Sequence, residues 1–288
     1  MELGPYYIDL NRCLGEDFSE YQFNADGIPL VRFHRKQEWQ HNPVTVCQYG
    51  LHHFNRYLKM KEEESKQIFL TQANWLVDHA QKGINGSSVW LYQFDIPFYQ
   101  ISAPWISGMA QGQAMSVLLR AHQVTGEIKY WDTAHGAWLI SKILIDEGGV
   151  LSHFSDGKPV IEEYPSPRFL TGVLNGFIFA IFGVYDYASY TDNKSAHEFY
   201  LSLVDSLKAN LFRYDCGYWS YYDLKPPLRL SSKSYHRLHL ELLNQMYQLT
   251  GEEIFKTVRD RWRSYLFSSR CLMKWTLRKI HQKVLVRV

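Results

Sequence analysis

The stretch Gln123-Val124-Thr125-Gly126-Glu127 recurs with one replacement as Gln248-Leu249-Thr250-Gly251-Glu252. In both copies an amphipathic run ends just before the glycine, and another begins after the glutamate. Glycine at this place stops a helix, because it adopts a left-handed backbone conformation at low cost. The Thr-Gly-Glu junction then leads directly into the next helix. The repeated stretch therefore predicts two helical hairpins with the same short turn.

Helical periodicity extends outward from these turns and covers most of the chain beyond about residue 44. The predicted helices form four pairs, whose first helices start at intervals of about sixty residues. The pairs are 44–60 with 64–82, 105–123 with 127–147, 171–190 with 193–212, and 232–249 with 252–267. A two-helix unit cannot bury both of its faces alone, so such units must stack against one another.

Stacked helical hairpins form either an open solenoid or a closed α/α toroid, in which the first helix of each pair lines the centre. Residues 106–121 and 173–188, both in first helices, are apolar almost all round, whereas the second helix 191–212 has a polar face. Helices that are apolar all round are typical of buried positions. We therefore predict an all-α fold, an α/α toroid (barrel) of about four helical hairpins.

Three connections of about twenty residues join the pairs and must lie together at the end opposite the short turns. They cover 83–104, 148–170 and 213–231. Connections this long are unusual in compact domains and are generally functional. Their aromatic and charged residues include Trp90, Tyr92, Phe98, Tyr99, Glu162, Glu163, Tyr164, Arg168, Tyr218, Trp219, Tyr221, Tyr222 and Lys225. We predict an aromatic, charge-containing mouth over the toroid.

The two ends of the chain differ from its helical part. Residues 1–40 look extended, and Ala25-Asp26-Gly27 predicts the turn of a hairpin over 21–33. We therefore divide the chain into an amino-terminal arm (1–40), an α/α-barrel domain (41–268) and a basic amphipathic tail (269–288). After Asp260 no acidic residue occurs, and the eight basic residues are Arg261, Arg263, Arg270, Lys274, Arg278, Lys279, Lys283 and Arg287.

A helical tail would carry one apolar stripe, formed by Met273, Leu277, Ile280 and Val284, with basic side chains on both flanks. Such a helix is suited to an anionic membrane surface, on which its cations could reach the headgroups. A helix that packs on its own domain or on a partner has the same pattern. The sequence leaves both interpretations open.

Composition excludes several classes of protein. The 288 residues include 31 Lys and Arg against 29 Asp and Glu, a net charge of +2, which argues against a dedicated nucleic-acid binder. With 46% hydrophobic and 21% charged residues, the chain is neither disordered nor of low complexity. Aromatic residues make up 16%. Tyr and Trp suit half-wet surfaces such as sugar-binding clefts, although cores and interfaces also use them.

The first residues lack the basic and apolar regions of a secretory signal. The most apolar stretch, 173–188, is interrupted by Asn175, Gly176 and Asp186 and predicts a buried helix, since it is too short and polar for a transmembrane one. We expect a cytoplasmic protein, located peripherally at the inner membrane face if the tail binds lipid. The four cysteines are widely separated in the sequence, which fits reduced thiols in the cytosol better than disulfide bonds. They are Cys13, Cys47, Cys216 and Cys271.

Polar side chains near the predicted mouth could carry chemistry. The proline-stiffened segment 161–169 holds two acids, a phenol and a guanidinium, although it could also be a solvated loop. Asn175 and Gln111 interrupt apolar helices, and as buried amides they need partners or must face a central cavity. Residues 222–239 are locally basic, with Tyr235 in the first turn of a helix and His239 one turn later. No HExxH motif occurs, so we predict no metal site.

Five motifs follow one another along the chain. They are Trp105-Ile106-Ser107-Gly108-Met109-Ala110-Gln111-Gly112-Gln113-Ala114, Glu162-Glu163-Tyr164-Pro165, Val173-Leu174-Asn175-Gly176-Phe177, Tyr222-Asp223-Leu224, and Tyr235-His236 through His239. In this order they resemble the carboxy-terminal catalytic domain of heparan sulfate D-glucuronyl C5-epimerases. The resemblance covers about residues 70–268. It implies an α/α barrel, and it suggests a homodimer.

The resemblance implies inversion at C5 of D-glucuronate residues to L-iduronate in a heparosan- or heparan-like glycan, with neither a metal nor a nicotinamide cofactor. The C5 hydrogen is α to a carboxylate, so its removal creates an enolate-like dianion that needs preorganised donors or cations. One group must take the proton from one face, and another must return it from the opposite face. By resemblance the catalytic residues are Glu163, Tyr164, Tyr222 and Tyr235.

A tyrosine that acts as a base needs a neighbouring cation or hydrogen bonds to lower its pKa from about 10. Arg168, Lys225 and Arg237 are the candidates for this role and for holding the uronate carboxylate. Lys225 stands where animal members of the family look to have arginine, so carboxylate recognition or the substrate could differ. Animal members also carry β-rich domains before this one. The remaining predicted substrate-binding residues are Asn175, Gln111, His239 and Trp105.

The expected partner is an anionic uronate-containing polysaccharide, and not a nucleic acid. Two alternatives stay open at this point. A polysaccharide lyase or glycoside hydrolase could use the same toroid, the hydrolase with Glu162 or Glu163 and a distant acid. A glycan-binding protein without activity could use the mouth aromatics only for stacking.

Overall fold

A computed structural model of the protein describes residues 1–9, 21–32 and 38–285. Cys13, Phe33 and Arg287 lie outside the described residues, as does the side chain of Val284. The α-helices in the described part are α1 (Pro43–Met60), α2 (Glu63–His79), α3 (Gly108–Thr125), α4 (Ile128–Ile140), α5 (Leu174–Thr191), α6 (Lys194–Asn210), α7 (Lys233–Thr250), α8 (Glu253–Phe267) and α9 (Ser269–Leu285).

The first eight of these helices form the four predicted hairpins, which confirms the α/α toroid. Most predicted helix ends lie within about one turn of the observed ones, as local capping signals allow. Gly126 and Gly251 end α3 and α7 with φ angles of 74° and 71°. Their N–H groups donate to the carbonyls of His122 and Tyr247. Each copy of the repeated Thr-Gly-Glu stretch thus ends an α-helix through a glycine in the left-handed backbone conformation, as predicted.

The end of α4 differs from the prediction, which continued the helix to residue 147. The helix ends at Ile140, and a 3-10 turn covers Ile145–Glu147. Beyond it, Gly149 lies so close to the backbone of Ile143 that a Cβ atom would be 2.0 Å from its carbonyl oxygen. The chain therefore folds back on itself, a tertiary contact that the helical periodicity of this segment does not reveal.

Helices α3 and α5 meet at the centre of the toroid along a seam of small residues. A Cβ atom on Gly183 would be 2.1 Å from the carbonyl oxygen of Gly112, and one on Gly112 would be 2.5 Å from the Cα of Ala180. Any larger residue at either glycine would push the helices apart. Both helices are buried over most of their length, as predicted for inner helices. No helix in the described part of the chain is long and apolar enough to cross a membrane.

The long connections contain short antiparallel hairpins that the sequence analysis does not predict. Strands β4 (Gln81–Lys82) and β5 (Ser88–Val89) pair before α3, and β6 (Leu151–His153) pairs with β7 (Pro159–Ile161) before α5. Strands of two or three residues are too short for a recognisable alternation of apolar and polar residues. The hairpin in 21–33 is present, with β1 (Gln22–Phe23) against β2 (Pro29–Val31), and β3 (Gln40–His41) pairs with β2.

Residues 1–9 pack against the carboxyl-terminal halves of the inner helices. A buried ion pair anchors them, in which Arg120 Nη1 lies 2.6 Å from Asp186 Oδ2. Arg120 Nε donates to the carbonyl of Gly4 (3.1 Å), and the Tyr7 hydroxyl donates to Asp186 Oδ1 (2.5 Å). This part of the arm therefore lies at the end of the toroid opposite the long connections.

We expect Asp186→Asn to lower the free energy of unfolding by about 3–5 kcal/mol, because the variant leaves the buried Arg120 cation uncompensated. The double variant Arg120→Met with Asp186→Leu should recover much of that loss, since no unpaired charge remains. Urea denaturation of the three proteins measures both effects. A loss below about 1 kcal/mol in Asp186→Asn would show that the pair is not the anchor of the arm.

Candidate active site

A cavity of about 250 Å³ opens between the amino-terminal ends of the four inner helices α1, α3, α5 and α7. This is the end of the toroid where the long connections lie. The cavity is lined by Tyr21, Asn42, Val44, Thr45, Gln48, Tyr92, Trp105, Ser107, Met109, Glu163, Tyr164, Asn175, Phe179, Tyr235 and Leu238. Five of the predicted site residues are among them: Trp105, Glu163, Tyr164, Asn175 and Tyr235.

The inner helices run parallel, so all four present their first turns to this cavity. Helix amino-termini carry partial positive charge and unpaired N–H groups, both of which favour anions. Asn42 caps α1 and accepts hydrogen bonds from Val44 N (3.1 Å) and the Tyr92 hydroxyl (2.8 Å). Ser107 caps α3 in the same way. The caps and helix ends together make the cavity a favourable place for a negatively charged group.

Glu163 reaches the cavity because the chain leaves β7 and passes between α3 and α5. The backbone carbonyl of Glu162 accepts a hydrogen bond from Gly108 N at the start of α3 (2.9 Å). The Glu163 carboxyl lies against Gly176 in the first turn of α5, where a Cβ atom would be 2.3 Å from Oε2. Asn175 Nδ2 donates to that oxygen at 3.4 Å. Glycine at position 176 is therefore needed for this placement of the carboxyl group.

Burial raises the pKa of Glu163 to about 8, although hydrogen bonds from Tyr164 and Asn175 act in the opposite direction. The negative charges of Glu162 and Asp223 add to the increase. A carboxyl group with this pKa exchanges its proton near neutral pH, as an acid or base catalyst must. Strongly shifted pKa values of buried groups are frequent at active sites.

The neighbouring Glu162 has a structural role in contrast to Glu163. Its carboxylate accepts hydrogen bonds from Thr171 N (2.8 Å), Thr171 Oγ1 (2.5 Å) and Gly172 N (2.9 Å). These bonds hold the segment that leads into α5. Burial raises the pKa of Glu162 to about 7. Both carboxylate oxygens of Glu162 thus accept hydrogen bonds from Thr171 and Gly172, and these bonds fix the position of that segment.

Tyr164 belongs to a group of stacked rings on one wall of the cavity. Its ring lies 4.7 Å from that of Tyr99 in a stacked arrangement, and 5.6 Å from Trp105. Trp105 stacks in turn on Tyr92, with centroids 4.2 Å apart. These contacts fix the direction of the Tyr164 side chain. Flat aromatic surfaces of this kind also suit the apolar faces of sugar rings.

Tyr222 and Tyr235 pack against each other; Tyr235 lines the cavity, whereas Tyr222 is not among the described lining residues. Their ring centroids are 4.9 Å apart and their planes nearly perpendicular. Ser232 caps α7 and accepts from Tyr235 N (3.1 Å), which places Tyr235 in the first turn. Burial, together with the negative charge of Glu163, raises the pKa of Tyr164 and of Tyr222 well above 10. Tyr164 and Tyr222 are therefore neutral at pH 7 before substrate binds.

Within the described residues, Arg229 is a cation that contacts Tyr99 and Tyr222, and sequence reasoning did not select it. Its guanidinium donates to the Tyr99 hydroxyl (2.5 Å) and to Asp223 Oδ2, and lies 5.4 Å from the centre of the Tyr222 ring. A hairpin brings it there, since Tyr222 N donates to the carbonyl of Arg229. The only sequence signal was the basic character of 222–239, in which four cations were indistinguishable.

The three cations predicted to serve the site lie elsewhere. Arg168 and Arg237 are exposed, and neither is among the described residues that line the cavity. Lys225 is also absent from the described lining, and its ammonium lies 4.0 Å from the centre of the Phe98 ring and 5.4 Å from that of Phe169. The expectation that one of them lowers a phenol pKa does not fit the pKa increases of Tyr164 and Tyr222.

Gln111 and His239 are fully buried, and the described cavity lining does not include them. His239 Nδ1 lies 3.0 Å from Ser220 Oγ, and burial lowers its pKa to about 3. It thus has the hydrogen bond of a core histidine. Among the described residues, no group of three or more His, Cys, Asp and Glu side chains is arranged to hold a metal ion.

A sequence model described as D-glucuronyl C5-epimerase C-terminus matches residues 85–264. The chain belongs to this epimerase family. The matched segment contains every predicted site residue, whereas the α1 part of the cavity precedes it. Glu163, Tyr164, Tyr222 and Tyr235 therefore lie in the region that the family model matches, and all of them except Tyr222 line the cavity.

Two relatives show how much of the chain is shared. A D-glucuronyl C5-epimerase of Caenorhabditis elegans is 31% identical over 231 residues, which are 74% of this chain and 37% of that protein. The chain thus spans little more than a third of the nematode enzyme. An uncharacterized protein of Methanocaldococcus jannaschii is 29% identical over 245 residues, 78% of this chain and 77% of that protein.

Similar solved structures confirm the fold alone. An unsaturated glucuronyl hydrolase from Bacillus sp. GL1 superimposes with a TM-score of 0.53 at 16% identity, over 77% of this chain and 61% of that one. A family 76 α-mannanase from Bacteroides thetaiotaomicron has the same TM-score at 10% identity, over 83% and 62% of the two chains. This chain thus shares the α/α toroid with these two proteins.

The pKa of Glu163 predicts a pH dependence of stability. Because the pKa is raised to about 8 in the folded protein, the folded chain keeps a proton that the unfolded chain releases above about pH 4.5. The stabilising effect of this proton is complete below about pH 4.5 and is lost as the pH rises to about 8. The slope reaches about 1.4 kcal/mol per pH unit.

Glu163→Gln should remove this slope, and urea denaturation of both proteins between about pH 6.5 and 8 measures it. The comparison with the wild type cancels other groups, including Glu162, whose raised pKa is present in both proteins. Buried His236 and His239, with pKa values lowered to about 4 and about 3, give the opposite slope at lower pH. Equal slopes in the two proteins would mean that Glu163 is already ionised when folded.

Proposed function

We propose that the protein is a glycan C5-epimerase that converts D-glucuronate residues to L-iduronate by removing the C5 proton and returning it from the opposite face. The observation that supports this most is the gathering of proton-carrying side chains at one cavity. Glu163, Tyr164 and Tyr235 line it, and Tyr222 lies directly behind Tyr235, with the two ring centroids 4.9 Å apart. Glu163 with Tyr164 forms one pair, and Tyr222 with Tyr235 forms the other. Membership of the epimerase family agrees with this reaction.

In this proposal one pair abstracts the C5 proton while the other donates a proton to the opposite face. The electron pair of the C–H bond moves into the carboxylate and forms an enolate-like dianion. The proton returned to C5 restores the carboxylate, so no oxidant or reductant is consumed. Glu163 suits the exchange with solvent, because its pKa of about 8 lies near neutral pH.

Charge in the dianion needs stabilisation from groups that are already in place. The amino-termini of the inner helices and the Asn175 amide supply it in this proposal, since they lie at the cavity. Arg229 adds positive charge behind Tyr99 and Tyr222, since its guanidinium lies 5.4 Å from the centre of each ring. The neutral phenols Tyr164 and Tyr222 also avoid repulsion of an incoming uronate carboxylate. Glu163 takes the C5 proton in its ionised form, which its pKa of about 8 leaves as a minor fraction at neutral pH.

The proposed substrate is an anionic uronate polymer of the heparosan or heparan kind. The name of the nematode relative supports glucuronate as the sugar that reacts. Trp105 and Tyr92 offer a flat stacked surface within the cavity. Lys225 offers a cation farther out, over Phe98, whose ring contacts Tyr99. A chain that passes over the mouth could thus place one uronate in the cavity and a neighbouring anionic group beside Lys225.

Elimination is the alternative that differs least, because the same C5 carbanion can expel the substituent at C4. A lyase would produce shorter chains with an unsaturated-uronate chromophore. Hydrolysis by two carboxyl groups is less well supported. Glu162, the acid next to Glu163, is engaged with Thr171 and Gly172. A glycan-binding protein without activity would change neither the substrate nor its C5 hydrogen.

The test is incubation with heparosan in deuterium oxide, followed by mass spectrometry and NMR of the chains. We expect deuterium at uronate C5, iduronate signals and unchanged chain length. Shortened chains with the chromophore would instead identify a lyase. Unlabelled chains, for heparosan and for other glucuronate polymers, would contradict the proposal.

Tyr164→Phe and Tyr235→Phe should each lower the rate of deuterium incorporation by at least about a hundredfold, since general acid–base catalysis contributes factors of this size. Glycan binding, measured by calorimetry, should change little, because both rings remain. The matched control is Tyr247→Phe, at the far end of α7, where the hydroxyl donates to Glu253 (3.1 Å). Equal rates in the wild type and both site variants would contradict the assignment of these phenols.

A further inference from the structure

Helix α9 has two apolar faces, and the toroid covers one of them. On the covered face, Trp275 Nε1 donates to the carbonyl of Ser231 (3.0 Å), and Gln282 Nε2 donates to that of Leu228 (3.1 Å). Lys279 Nζ donates to the carbonyl of Leu230. These contacts, together with the packing of Leu272 on the core, fix the orientation of the helix.

The opposite face of α9 carries a stripe of large apolar side chains. Met273, Leu277 and Ile280 are 60%, 62% and 56% exposed. At about 100° per residue they project from the helix about half a turn away from Trp275. Exposed apolar side chains that occur singly need no explanation, but a continuous stripe on a rigid helix marks an interaction surface.

The charges around this stripe are all of one sign. Arg270 and Lys274 are exposed along one of its edges, and Arg278 is exposed beyond them. Acidic residues are missing from the chain after Asp260. An apolar stripe with cations along one edge and no acidic residue on its helix matches an anionic lipid surface, in which acyl chains lie beneath negatively charged headgroups. A surface for another protein would not require this charge asymmetry.

We propose that α9 is a membrane-binding helix that inserts Met273, Leu277 and Ile280 into an anionic bilayer surface. Its covered face holds the segment Leu228–Ser231, which contains Arg229 and directly precedes Ser232, the cap of α7. The helix that binds the membrane is thus attached to the mouth of the cavity. Binding would keep the mouth close to the bilayer, where membrane-attached glycans are within reach.

The test uses the full chain and vesicles of phosphatidylcholine with about one third phosphatidylglycerol, sedimented and assayed for bound protein. We expect binding to these vesicles, little binding to phosphatidylcholine alone, and weaker binding as the ionic strength rises. Leu277→Gln with Ile280→Gln should weaken binding at least about tenfold, since it removes apolar insertion. Arg270→Gln with Lys274→Gln should weaken it about as much, through lost headgroup contacts.

The matched control is Ile128→Gln on α4, where the side chain is 63% exposed on a different surface. It should bind vesicles as the wild type does. Circular dichroism and thermal melting should agree among all variants, because the replaced side chains are exposed. Two results would overturn the proposal: no binding by the wild type, or undiminished binding by both double variants. If the wild type does not bind vesicles but forms a dimer that Leu277→Gln with Ile280→Gln dissociates, the stripe is instead an interface between two copies of the chain.

Discussion

The close approach of α3 and α5 is the constraint on which the site depends. Gly112 and Gly183 let the two inner helices touch through their backbones, so that the loop after β7 fits between their first turns. The backbone of Glu162 then binds Gly108 at the start of α3, and the Glu163 carboxyl fits only against the bare Cα of Gly176. Larger residues along this seam would separate the helices and remove the place where the carboxyl group is held. Packing of small residues at the centre of the toroid and the chemistry at its mouth are thus consequences of one contact.

The electrostatics of the cavity follow from burial rather than from a ring of cations. Burial raises the pKa of Glu163 to about 8 and those of Tyr164 and Tyr222 well above 10, so these groups carry little negative charge at neutral pH. Four helix amino-termini face the same space and favour an anion. Arginine and lysine are absent from the described lining, and Arg229 acts from behind Tyr99, where Asp223 balances its charge. Such a cavity admits a carboxylate without repulsion and retains groups that can exchange a proton.

Much of the fold could be predicted from sequence because its signals are local. A glycine that follows an amphipathic run, as Gly126 and Gly251 do, indicates the end of a helix. The apolar character of 106–121 and 173–188 predicts inner helices. The predicted mouth gathered Glu163, Tyr164 and Tyr222 among many other residues, whereas their selection as catalytic residues, and that of Tyr235, came from the resemblance to the epimerase family. The sequence did not identify the cation, because Arg229, Lys225 and Arg237 are equivalent in a basic segment until a hairpin returns Arg229 to Tyr222. The separate roles of Glu162 and Glu163 were hidden for the same reason, as adjacent acids differ only in what folds around them.

The sequence by itself determined the four helical hairpins, the end of the toroid that carries the aromatic mouth, and the family to which the chain belongs. Each of these depends on periodicity, caps or ordered motifs within short segments. Tertiary structure decided which carboxyl group enters the cavity, which cation supports the phenols, and which face of α9 stays exposed. These outcomes depend on contacts between segments far apart in the chain, such as Trp275 with Ser231 and Arg229 with Tyr99. The free energy of such contacts comes from burial and hydrogen bonding in the folded molecule, which no local pattern encodes.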